Sequence, residues 1–453
     1  MIIVIFFLWR AMGKRSISPR KVKRMAAFFA LTLTMSLGFV IASMALVVSA
    51  SEPEVKAYQE PTTRQNTSTP TAEPGPTFTP IPTQTLAPTS TLAPTSTPTE
   101  TSTATAVTLS YGPDDFPPDI NPLTGRPVSD PTRLERRPIA IKITNYPRYV
   151  RPQSGLSFAD IVYEYYLERG ITRFIALYYG DDAEKAGPIR SGRFFDEHIF
   201  TMYQSIFVFG NADKRVMDHF VELGRSVVNH FVLEQPEDTK RSCRPDLYVP
   251  LCRDRQIVSY NNMFANTAAM SQFITARGTD NSRQNLNGML FSDQAPLSGA
   301  PGTSIDLHYS AIIHNRWLFN PDTGEYLRFA ETHDDNASEG REVAPLFDAA
   351  TGQPVGADNV VVLFVPHEYF VNTLTTEIVK IHLIGEGSAL LFRDGFAYPA
   401  TWRRPEEQGV LGLRSPSGEP LAFGPGVTFF QVVGETTAFR RSEGAWQFEF
   451  AIP

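Results

Sequence analysis

The chain has 453 residues, 42% hydrophobic and 20% charged, with 41 Lys or Arg against 48 Asp or Glu and a net charge of −7. That length holds more than one domain, and two cysteines are too few for a thiolate zinc site. The acidic balance argues against a nucleic-acid partner, because phosphate binding needs a basic surface.

Charge is unevenly spread. Residues 1–50 carry seven Lys or Arg, from Arg10 to Arg24, and no acid, so the remainder holds 34 basic against 48 acidic residues, a net of −14. The basic segment precedes an apolar run from about Ala26 to Ala50, long enough to span a bilayer. Basic residues on that side place the N-terminus inside and the rest outside. Two outcomes stand open: a retained single-pass anchor, which the length of the run favours, or cleavage after Val48-Ser49-Ala50 and secretion. Met12 and Met25 are alternative starts. Residues 51–115 are dominated by Pro, Thr and Ser, with LAPTST repeated at 86–91 and 92–97. Such a segment buries no core and is expected to be a disordered stalk, with a reach on the order of 150 Å.

The folded part reads as α+β: a mixed α/β domain over 116–302, then a mainly β domain over 303–440. A tail at 441–453 carries Trp446, Phe448 and Phe450 in alternation, as an edge strand would. In the first domain, Pro138–Asn145 reads as a strand. Ser205–Phe209 is a short buried strand, and 212–223 and 267–277 are helices. The stretch from Arg151 to His198 organises this domain. It predicts a hairpin turning at Arg169-Gly170 and a helix from Gly192 to Gln204 capped by Ser191. A regular two-residue turn puts Arg173 opposite Tyr166 and aligns Val162, Glu164, Tyr166 and Glu168 on one face.

Motifs for chemistry are sparse. None of the eight histidines has HExxH spacing, and His333-Asp334-Asp335 reads as a solvated loop, so neither metal nor cofactor is expected. There is no GxSxG elbow and no P-loop, and Gly385-Glu386-Gly387 lacks the third glycine of a dinucleotide fingerprint. Asp160, Glu164 and Glu168 are the carboxylates available for acid–base work. The segment GPIRSGR (187–193) is more informative. Arginines at a helix start oppose the helix dipole unless an anion sits there. Arg190, Ser191, Gly192 and Arg193, with Arg173 oriented by Glu164, are the candidate anion site. The alternative is pairing of these arginines with Asp181, Asp182, Glu184 or Asp196. Cys243 and Cys252, the two cysteines of an external domain, are expected to form a disulfide.

Four stretches carry a family resemblance: NPLTGRPV (121–128), RPIAIKITN (137–145), RPQSGLSFADIVYEYYLERGITRFIALY (151–178) and GPIRSGR (187–193). It continues through YLR (326–328), DNVVV (358–362), DGFAYPATWRR (394–404) and GPGVTFFQVV (424–433). Together these resemble the YerB-like family of bacterial extracytoplasmic proteins, many of them lipoproteins. The resemblance implies an envelope location and a two-domain fold. It carries no catalytic residue across, since the family's biochemical function is uncharacterised. This chain departs in having an apolar span and a Thr/Pro stalk where many relatives have a lipidated cysteine. Two functions follow as expectations. One is a non-catalytic binding module for an envelope component, such as an anionic wall polymer or peptide. The other is a wall hydrolase working through carboxylates.

Overall fold

The structure is a computed structural model that describes residues 109–226, 231–232, 241–244, 248–258, 261–335 and 340–453. The expected membrane span, the cleavage position at Ala50 and nearly all of the stalk lie outside those residues. Among the described residues no helix is long and apolar enough to cross a membrane.

The run IAIKIT forms β1 (Ile139–Thr144), buried at all its positions. Strands β2 (Ile161–Glu168) and β3 (Ile171–Tyr178) form the expected hairpin. Its turn needs positive φ at both central residues, and Arg169 (φ 49°) and Gly170 (φ 82°) provide it. A Cβ on Gly170 would come within 2.8 Å of the Ser310 hydroxyl, so the turn also demands glycine for space. Helix α1 (Asp196–Met202), β4 (Ile206–Val208), α2 (Lys214–Ser226) and β5 (Phe231–Val232) follow. Helix α3 (Thr267–Ala276) is capped by Asn266, whose side chain accepts from the Ala269 N–H.

The chain after residue 300 is mainly β, as expected. It contains β6 (Ala300–Pro301), β7 (Ser304–Ser310), β8 (Ile313–Asn320), β9 (Glu325–Glu331), β10 (Val343–Pro345) and β11 (Asn359–Val365). A hairpin of β12 (His367–Asn372) and β13 (Glu377–Ile381) follows. Then come β14 (Gly385–Arg393), β15 (Phe396–Arg404), β16 (Thr428–Gly434), β17 (Ala438–Ser442) and β18 (Ala445–Glu449). Helices are few, and the described chain as a whole is mostly β.

Two sheets result. The larger runs β6-β15-β14-β11-β16-β2-β3-β1-β4-β5, and the smaller runs β10-β9-β8-β7-β18-β17. The larger sheet crosses the boundary near residue 303. Strand β16 pairs in parallel with β11 on one side and with β2 on the other, setting Gln431 against Glu164. One face of this sheet carries α1, where Phe195 packs 4.3 Å from the Tyr165 ring. The other face meets the smaller sheet, where Trp317 lies 4.7 Å from Phe429. Cover on both faces explains why the central strands read as nearly continuous apolar runs.

Three expectations need correction. The hairpin ladder shifts between Tyr166 and Glu168, so Arg173 pairs with Tyr165 rather than Tyr166. The extra residue, Leu167, makes a bulge that buries both Tyr166 and Leu167 and turns Glu168 to the opposite face from Glu164. The second correction concerns the helix, which begins at Asp196, not Gly192, and Ser191 does not cap it. Residues 189–192 are held as a strand-like edge: the Arg190 N–H donates to Lys142 O and the Gly192 N–H to Asn211 O. Tertiary pairing thus takes the residues that local signals assign to a helix. Finally, the strand containing Trp446 and Phe448 is interior, between β7 and β17, rather than an edge.

His198 ties α1 to the C-terminal half. Its Nε2 bonds to the Ile381 carbonyl at 2.9 Å, so that nitrogen carries the proton, and Nδ1 accepts from Arg404 at 3.2 Å. Burial first, then the Arg404 charge, push its pKa down from 6.5 to about 3. Between those values the unfolded chain binds the proton and the folded chain does not. Stability is therefore full above about pH 6.5 and falls as pH drops toward 3, by about 5 kcal/mol. Urea midpoints measured across that range should show the slope in wild type and a shallower one in His198→Gln.

Candidate functional site

A cleft of about 390 Å³ opens where four segments meet. Its walls are the β2–β3 turn (Glu168, Arg169), the edge at Ser191 and Arg193, the approach to α2 (Asn211, Asp213) and the turn of the β12–β13 hairpin. The hairpin is held over the cleft by specific contacts. Arg169 donates to the Leu374 carbonyl at 2.7 Å, and the Tyr166 hydroxyl donates to Glu377 at 2.8 Å. Behind it, Phe370 packs edge-on against Phe194, and Lys380 lies 4.3 Å from the Phe370 ring centre.

Beneath the cleft lies a buried charged cluster. Lys142, fully buried, donates to Asp196 at 2.9 Å and to the Tyr165 hydroxyl, which itself donates to Asp196. Asp196 also accepts the Arg193 N–H at 2.8 Å. Arg193 forks onto Glu168, with Nε 3.0 Å from one carboxylate oxygen and Nη2 2.5 Å from the other. Arg173, 3% exposed, donates to the Ser191 carbonyl at 2.9 Å. Its Nε has no hydrogen-bond partner among the described residues. Cations crowd here. Burial, then Arg193 and Arg190, push the Arg173 pKa down to about 9. Burial likewise lowers Lys142 to about 7, with Asp196 opposing and Arg173 and Arg193 adding to the fall.

Of the predicted site residues, Arg173, Arg190, Ser191, Gly192 and Arg193 do gather at this place, on the α1 face of the sheet. Glu164 does not. It is wholly buried on the opposite face, where it pairs with Arg328 at 2.6 Å and accepts from Thr172 and Asn145. It cannot orient Arg173, and it shares no cleft with Glu168. Asp160 is also buried, accepting the Tyr179 and Gly180 N–H groups and the Asn121 amide. The three carboxylates are thus separated, which removes the geometric ground for acid–base work between them. The Arg193 guanidinium pairs with Glu168, which is none of the four acids the sequence suggested; of those four, Asp196 takes only the Arg193 backbone N–H. Cys243 and Cys252 are bonded to each other. Among the described residues no His, Cys, Asp and Glu group is arranged to hold a metal. Sequence reasoning passed over Lys142 and Tyr165, and named Asp196 only as a partner for the arginines. The available signal was a lysine inside IAIKIT, an unexpected residue in a strand covered on both faces.

Two stacked sheets, with a central strand contributed from each sequence half and a charged cleft at the hairpin end, define a two-part, mainly β protein. Residues 123–280 match the N-terminal domain, and 305–430 the C-terminal domain, of the family described as protein of unknown function DUF3048. The chain is 27% identical over 327 residues to "Putative lipoprotein YerB" of Bacillus subtilis, spanning 71% of this chain and 88% of that one. The crystal structure of the YerB protein from Bacillus subtilis shares the fold, with TM-score 0.55 and 22% identity over 69% of this chain and 96% of that one. The protein belongs to the YerB-like family.

Proposed function

We propose that the protein is an extracytoplasmic, membrane-anchored binding module of the cell envelope that holds an anionic group of a wall polymer or peptide in the cleft above Arg193. The basic segment and apolar run at the N-terminus support the location, as does the lipoprotein name of the Bacillus relative. The observation that carries the binding reading is the crowding of Arg173, Arg190 and Arg193 under the cleft, where burial first, and then the charges of Arg193 and Arg190, depress Arg173 to about 9. A bound anion relieves that repulsion. The Glu168 carboxylate marks where an anion sits on the Arg193 fork. Its side chain is one-quarter exposed and has room to move aside.

The test is calorimetric titration of the full chain with anionic wall fragments at two salt concentrations, with fragments checked afterwards for cleavage. Arg193→Gln should weaken binding about tenfold, the loss of one charged hydrogen-bonded pair. Glu168→Gln should tighten it by removing the internal competitor. Arg190→Lys should weaken it, because an ammonium does not reproduce the fork. Equal affinities across the set, or no binding by any, would rule the reading out.

A further inference from the structure

A second site lies on the outer face of the smaller sheet, away from the cleft. The register of four strands aligns Arg316, Asp306, Gln447 and Arg440 in one row across β8, β7, β18 and β17. The next row is His314, His308 and Glu449. Both rows line a small cavity of about 100 Å³, closed on one side by Arg341 and Val343.

The two end arginines reach inward along their row. Arg316 places Nε 2.5 Å from Asp306, and Arg440 places Nε 2.6 Å from the Gln447 side-chain oxygen. Asp306 and Gln447 stand on adjacent strands, about 4.8 Å apart. Both guanidinium groups are thus bonded toward the middle of the row, and neither has a partner for its Nη donors among the described residues. The carboxylates nearby are already gripped. Glu449 is held by Arg341 at 2.8 Å and by His308 at 2.6 Å. Asp335 is held by Arg341 at 2.9 Å. Asp306 is likewise held, by Arg316.

His314 completes the site. It is 3% exposed, and its Nε2 bonds to the Glu342 carbonyl at 3.2 Å, so Nε2 carries the hydrogen. Nδ1 is then a lone-pair acceptor; it is buried and has no partner among the described residues. Burial lowers the His314 pKa, in the direction that favours the neutral ring.

We propose that this cavity binds a phosphate group that retains a P–OH, either inorganic phosphate or a terminal monoester. The anionic oxygens take the Arg316 and Arg440 forks, and the P–OH donates to His314 Nδ1. The site selects by its buried acceptor. Sulfate and phosphodiesters have anionic oxygens but no hydrogen to give, so each leaves Nδ1 unpartnered and adds its charge beside Asp306. A site built around a hydrogen bond rejects an analogue that lacks the donor far more strongly than shape alone would.

The test uses the full chain at about pH 6.5, where a monoester keeps part of its second proton. Inorganic phosphate, glycerol phosphate, sulfate and dimethyl phosphate are titrated at matched ionic strength, reading heat and the His314 ring resonances. Phosphate should saturate and move the His314 signals, with sulfate and dimethyl phosphate weaker by about tenfold or more. Arg440→Gln, at an exposed position, and Arg316→Gln should each reduce phosphate affinity about tenfold. Arg193→Gln should leave it unchanged, which separates this site from the cleft. Sulfate binding as tightly as phosphate, unmoved His314 resonances, or unchanged affinity in Arg440→Gln would overturn the proposal.

Discussion

Replacing Arg328 with Met should destabilise the protein by about 3–5 kcal/mol, because it leaves a buried carboxylate without its cation. Arg328 and Glu164 are 1% and 0% exposed at the side chain and 2.6 Å apart. They join the two halves of the chain, since Glu164 lies on β2 and Arg328 on β9. Glu164 is otherwise held by neutral donors, Thr172 at 2.7 Å and Asn145 at 3.1 Å. The guanidinium sits among the rings of Phe174, Trp317 and Phe429, at 5.5, 5.1 and 5.3 Å. Lysine would keep the charge but lose the planar stacking and fork, so Arg328→Lys should also be costly. Combining Arg328→Met with Glu164→Leu should recover part of the loss, because an apolar pair of similar volume removes the uncompensated charge. Urea unfolding of the four proteins gives the cycle. Additive losses in the double variant would mean that the two charges do not depend on each other.

Asp196→Ala should cost a similar amount, about 3–5 kcal/mol, for the converse reason. Asp196 accepts from Lys142, from the Tyr165 hydroxyl and from the Arg193 N–H. Alanine strands a fully buried ammonium and a buried hydroxyl together and removes one of the carboxylates beside a cluster of arginines. Lys142 should then be still harder to protonate, since Asp196 is the contribution that now raises its pKa against burial. Asp196→Asn keeps the shape and one acceptor and should lose less. Denaturant midpoints for both variants, with and without Lys142→Met, check the ordering. Asp196→Ala should be the least stable single variant and should improve when Lys142 is also removed.

Apolar patterning and turn chemistry act over a few residues, so strand positions such as Pro138–Asn145 and the turn at Arg169-Gly170 were readable in the chain itself. The mainly β character after 300 and the family, carried by long local motifs, were readable for the same reason. The gathering of Arg173, Arg190 and Arg193 also followed from one hairpin packing on one loop. The bulge at Leu167 was not readable. It arises from which side chains the rest of the protein can bury, and it decided that Glu164 faces Arg328 while Glu168 faces Arg193. The start of α1 at Asp196 was settled by backbone pairing of residues 189–192 with Lys142 and Asn211, partners that no local signal contains. Likewise β16 links to β2 across more than 250 residues, so the single large sheet is a product of long-range pairing. Composition and periodicity thus determined which segments became strands. Tertiary packing decided which face each charged side chain took, because a one-residue shift in a strand reverses every face beyond it.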